Sequence, residues 1–142
     1  MPDTLDGRFD MIMLHVVILL RRLKQLEDHE IAQSVIDTMF EDMDQALREL
    51  GVSDASVAKR IRPMAEAFHG RAAAYNEALD MPSESDALSQ AIARNVFPDG
   101  DGLSVSERLG AYVRRLERCL AGLETGDMQT GTVAWPEPVE SQ

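Results

Sequence analysis

Asp37, Glu41 and Asp44 are spaced by four and then three residues, in and just ahead of the stretch MFEDMDQALRELG at 39–51. Three carboxylates one helical turn apart could hold a divalent cation, or could act as an acid and base pair if burial or mutual repulsion tuned their pKa values. At about 100° per residue, however, Asp37, Glu41, Asp44 and Arg48 share a narrow sector, while Met39, Met43 and Leu47 point nearly the other way. The acids therefore face water, where little shifts a carboxyl pKa. Asp44 can also pair with Arg48 one turn on, an interaction of about 0.2–0.5 kcal/mol. A carboxylate metal centre in a helical bundle takes a Glu-x-x-His from each of two facing helices, and no such pair occurs among the scattered His15, His29 and His69. DGDG at 99–102 fails as a calcium loop because its fifth position is Leu103 and its twelfth Gly110. No glycine-rich phosphate cradle or nucleophile elbow is present. His15, inside an apolar run, is expected to be satisfied by a carbonyl.

Chemistry on side chains therefore gives way to the elements that carry them. Every strong periodicity is helical, and no alternating runs end in hairpin residues, so the chain reads as all-α. A first helix over 8–26 carries Phe9, Ile12, Met13, Val16, Leu20 and Leu23 on one stripe and Met11, Leu14 and Ile18 on a second. Such a helix is either central to the fold or offers an apolar strip to a partner. A second starts at Asp28, a good N-cap, and ends at Gly51 in the left-handed C′ position. A third is capped by Ser53 or Asp54 and carries Val57, Ile61, Met64, Phe68, Tyr75 and Leu79; Pro63 should kink it or break it in two. Ser83 and Asp86 resemble a capping box for a fourth helix over 84–96, and a fifth is expected over 106–123. The spacing thus predicts one compact bundle of five or six helices over 1–123, followed by an irregular tail over 124–142 with Trp135 as its anchor. Gly70, with Ala72, Ala73 and Ala74, suggests a tight helix–helix contact.

The 142 residues have a formal charge of −11, which opposes nucleic-acid binding because the phosphate backbone repels an acidic body. Basic residues cluster at Arg21, Arg22 and Lys24, at Lys59, Arg60 and Arg62, and at Arg114, Arg115 and Arg118, each read as a solvated face or a patch for an acidic partner. The lone Cys119 has no zinc-site neighbours and suits a reducing compartment. The apolar run 11–20 is about half the ~20 residues that cross a bilayer, and it has neither the flanks nor the cleavage site of a signal peptide.

Three stretches go further: PDTLDGRFDMIMLH at 2–15, DMDQALRELGVSDASVAKRIRPMAEAFHGRAAAYNEAL at 42–79, and ARNVFPDG followed by LGAYVRR. Together they resemble the bacterial branch of the ubiquinol-cytochrome c chaperone family over nearly the whole chain. In the central stretch, Asp42, Arg48, Gly51, Asp54, Lys59, Met64, Phe68, Gly70, Arg71 and Tyr75 stand where that family's pattern has them. The resemblance implies an all-helical, non-enzymatic assembly chaperone without cofactor or metal. Its expected partners are newly made cytochrome b, or another subunit of respiratory complex III, and a small helper protein. It implies a cytoplasmic location with peripheral contact at the inner membrane. Family members have a further helical segment before the PDT stretch, so a shortened or differently assigned start is expected here, leaving part of the first helix without cover.

Within that reading, Met11, Leu14 and Ile18 are expected to line a contact surface. Arg48, Lys59 and Arg71 are expected either to fix helix packing or to meet an acidic partner segment. Methionine suits an adaptable surface, although Met11, Met13, Met39, Met43 and Met64 at helical spacing also suit a core. The competing readings are a membrane-surface or adaptor protein held by the first helix with Arg21, Arg22 and Lys24 near headgroups, and a carboxylate-metal enzyme using Asp37, Glu41 and Asp44.

Overall fold

Helix ends leave backbone groups unpaired, and side chains close to the chain satisfy them. In the computed structural model of the chain, which describes residues 4–98, 100 and 102–137, the Thr4 hydroxyl accepts the Gly7 N–H at 3.1 Å and starts α1 (Leu5–Gln25). Asp28 accepts the Ile31 N–H at 3.1 Å and starts α2 (His29–Glu49). At the far end of α2, the Gly51 N–H reaches the Arg48 carbonyl at 2.9 Å and the Val52 N–H reaches that of Leu47 at 3.1 Å. Gly51 itself sits at φ +82°, the left-handed position that glycine fills without steric cost. Then follow α3 (Asp54–Asp80), α4 (Ala87–Val96), α5 (Leu103–Ala121) and α6 (Thr125–Gln129), with no strand among the described residues.

Two expectations need correction, and a third is narrowed: of the kink or break expected at Pro63, the break does not occur, since α3 runs unbroken through it. Pro63 and Lys59 are both exposed, so water can satisfy the Lys59 carbonyl that the proline leaves without a donor. α4 begins at Ala87, later than expected, because the Ser85 N–H closes a turn onto the Pro82 carbonyl at 2.9 Å and the Ser85 hydroxyl takes the Ala87 N–H at 3.2 Å. The chain after Leu123 is not irregular throughout: Glu124 and Asp127 form a reciprocal capping box that starts α6, and α6 buries Met128.

A helix apolar on nearly all sides needs neighbours on nearly all sides, and α1 packs against α2, α3, α4 and α5. Phe9, Met13, Leu14, Val17 and Ile18 enter one core with Met39 and Met43 of α2, Phe68, Tyr75 and Leu79 of α3, Leu88 and Ile92 of α4, and Val113, Leu116 and Leu120 of α5. Contacts rise in register: His15 meets Tyr112 and Arg21 meets Glu117, so α1 and α5 run in the same direction. Asp10 meets Arg71 and Arg21 meets Asp80, so α3 is parallel to them as well.

The close helix approach is not at Gly70, which is exposed and has open space where a Cβ would sit. It is at Gly110, where a Cβ would lie 3.0 Å from the Ser89 hydroxyl and 3.9 Å from the Leu88 side chain, so α4 and α5 touch there. Two opposite outcomes are expected in urea unfolding followed by circular dichroism. Gly70→Ala should stabilise the protein by about 0.5–1 kcal/mol, since it removes a helix-interior glycine without a clash. Gly51→Ala should destabilise it by about 1–2 kcal/mol through backbone strain alone.

Candidate interaction surfaces

The acidic sector of α2 points to solvent, as its spacing predicts. Asp37 and Glu41 are exposed, and Asp37 accepts a hydrogen bond from the Gln33 amide at 2.8 Å. Asp44 accepts from the Arg48 Nε at 2.5 Å, and the same guanidinium reaches Asp54 at the start of α3. Arg48 thus straps the α2–α3 corner, helped by Gly51 in the turn. The chain's Glu-x-x-His spacing, Glu66 with His69, is exposed, and Glu66 faces Arg62 at 3.4 Å. Among the described residues, no three His, Cys, Asp or Glu side chains converge as metal ligands. Between α2 and α3, Phe40 and Ile61 floor a shallow open groove of about 440 Å³ beside Asp37, Glu41 and Asp44.

Three arginines of the basic clusters, Arg21, Arg22 and Arg114, are turned onto other elements, whereas Arg60, Arg62 and Arg118 are exposed. Arg21 donates to Glu117 at 2.9 Å, Asn76 at 3.3 Å and Asp80 at 2.6 Å, tying α1 to α3 and α5. Arg22 holds the Leu123 carbonyl at 2.8 Å, and Arg114 donates to the carbonyls of Ala78 and Leu79, each at 3.4 Å, at the last turn of α3. The Arg115 guanidinium lies 5.8 Å from the Tyr112 ring centre. Arg21 and Arg22 are therefore half-buried and held in contacts within the protein; of that cluster, Lys24 is exposed. Lys59 and Arg60 are exposed as well.

Of the expected contact strip, Leu14 is 0% and Ile18 1% exposed, so both are core residues and only Met11, half-buried, reaches the surface. The helical wheel separated two apolar stripes on α1 but could not show that both would be covered. The exposed apolar residue on that helix is Ile12, at 45%. Met13, Met39 and Met43 are buried and Met64 half-buried, the packing role their spacing allows. Phe68 and Tyr75 are also core residues, with Phe68 edge-on to Phe40 at 5.9 Å. Asp42, Lys59 and Gly70 are exposed.

Arg71 pairs with Asp10 across α1 and α3, both largely shielded from solvent, and also reaches the Asn95 carbonyl of α4 at 3.3 Å. Burial pushes the Asp10 carboxyl above its ordinary value, while Arg71 draws it back. Burial likewise pushes the Tyr75 phenol up to about 12. His15 does find a carbonyl, that of Met11 at 2.7 Å, and because a carbonyl only accepts, Nδ1 carries the proton. Its other nitrogen meets the Tyr112 hydroxyl at 2.9 Å, and Trp135 lies edge-on to the ring at 5.8 Å. Trp135 thus touches α1 as the stretch after α6 passes it but stays 48% exposed, and it is Val133 that packs against the core there.

These features define an all-α bundle in which several half-buried polar side chains tie helices together and a shallow open groove lies between α2 and α3. More particularly, residues 1–135 match the family model described as ubiquinol-cytochrome C chaperone, and the chain belongs to that family. It is 30% identical to the ubiquinol-cytochrome-c reductase complex assembly factor 1 of Xenopus laevis, over 99% of this chain and 71% of the frog protein. It is also 30% identical to the Homo sapiens factor of that name, over 99% of this chain but 48% of the human one. Among solved structures, that of the Cbp3 homolog from Brucella abortus superposes with a TM-score of 0.83 at 35% identity, covering 99% of this chain and 78% of that one.

The Asp10–Arg71 pair supplies a test. Arg71→Met leaves a shielded carboxylate without its cation and should cost about 3 kcal/mol at pH 7 in chemical denaturation. The Asp10 pKa then rises further above its unfolded value, so the variant's stability relative to wild type should fall as pH climbs from 4 to 7. Adding Asp10→Asn should recover much of the loss.

Proposed function

We propose that this protein is a non-enzymatic assembly chaperone for the ubiquinol-cytochrome c oxidoreductase, respiratory complex III, and that it binds newly made cytochrome b before the complex is built. The observation that carries the reading is the family match over residues 1–135, supported by relatives named as assembly factors for that reductase complex. A client of apolar helices must be shielded from water until it meets its partners, and a helical protein can do so with an apolar strip or groove. The exposed apolar side chains available here include Ile12 on α1, Leu103 and Val105 at the start of α5, and Trp135. No described helix is long and apolar enough to cross a membrane. In this proposal the chaperone meets its client at the cytoplasmic face of the inner membrane, with a small helper protein as a further partner.

The test is a deletion strain complemented with wild type or variants. Complex III activity and the amount of cytochrome b should both fall on deletion and return with the wild-type gene, and tagged protein purified from the membrane fraction should bring cytochrome b with it. Undiminished activity and cytochrome b in the deletion strain would overturn the proposal. Ile12→Asp should keep the helicity of the protein yet lower the cytochrome b recovered. Leu14→Asp, which puts a charge in the core, should unfold the protein instead.

A further inference from the structure

From the groove between α2 and α3 we infer a second docking surface, for a basic amphipathic helix on another protein, distinct from any client site on α1. Its floor is apolar: Phe40 and Ile61 are half-buried, and Phe40 is backed by the Phe68 ring at 5.9 Å. One wall is a row of carboxylates at successive turns, Asp37, Glu41 and Asp44. Asp44 is balanced by Arg48, whereas Asp37 and Glu41 have no ion pair among the described residues. The groove, of about 440 Å³, is shallow and open, which suits the side of a helix rather than an enclosed small molecule.

Charge decides the occupant. Asp37 and Glu41 lie four residues apart on α2, so a helix laid alongside with Lys or Arg at i and i+4 presents its cations at the same axial spacing, about 6 Å, and its leucine-type residues at i+3 and i+7 to Phe40 and Ile61. A net charge of −11 steers a basic partner toward the surface and repels phosphate backbones and anionic headgroups. The chain's own end cannot fill the groove on these terms, since residues 130–142 contain Glu137 and Glu140 and neither lysine nor arginine.

The experiment uses the full chain and a fluorescein-labelled synthetic 18-residue peptide of leucine and lysine in helical amphipathic order, with a scrambled peptide of the same composition, read by fluorescence anisotropy at physiological salt. The ordered peptide should bind at least tenfold more tightly than the scrambled one. The double variant Asp37→Asn, Glu41→Gln, at exposed positions, should lose about tenfold in affinity, and Phe40→Ala a comparable factor, while Ile12→Ser should lose none. Equal binding of both peptides, or unchanged affinity in the Asp37/Glu41 variant, would overturn the inference and leave only general attraction of cations to an acidic protein. A homodimer in sedimentation that dissociates in the same variant would also overturn it, by assigning the groove to a second copy. The readout needs neither cytochrome b nor complex III, so it fails or succeeds independently of the chaperone reading.

Discussion

The structure depends on the burial of α1. A helix with apolar side chains on both stripes cannot stand against solvent on one side, and here four other helices take up its faces. This constraint explains why α1 carries so few of the chain's exposed groups and why its polar residues, Asp10, His15 and Arg21, each reach across to another element. Each is close enough to the core that leaving it unpaired would be costly, and each is paired. The polar contacts that α1 makes with α3 and α5 therefore follow from its central placement.

How much of this the sequence discloses depends on range. The helical class, the stripe on α2, the Asp28 cap and the Gly51 stop are local, and the residues state them directly. At Pro63 the chain alone leaves kink and break both open, because a proline stops a helix only where the lost bond cannot be replaced, and exposure, a tertiary property, decides that. α6 was missed although Glu124 and Asp127 have capping-box spacing, since five residues are too few for periodicity to speak.

The surface was harder still. Periodicity says which side chains share a face but not which neighbour covers it, so Leu14 and Ile18 read as a contact strip and are core, and Gly70 read as a contact and is open. Gly110, which does sit at a close approach, has no distinguishing neighbours in the chain. The outward turn of Asp37, Glu41 and Asp44 was legible because it depends on α2 alone; the groove beside them was not, because Ile61 comes from α3.

Because α1, α3 and α5 run the same way while α2 and α4 begin where α1 and α3 end, three negative helix poles and two positive ones gather at one end of the bundle, about half an elementary charge each. Arg21, Arg22 and Arg114 stand at that end, two of them directly on terminal carbonyls. Arginines that look along the chain like a lure for acidic visitors thus act as internal counterions to the backbone. With two positive poles beside three negative ones, only about half a charge is left at that end for Arg22 and Arg114 to offset.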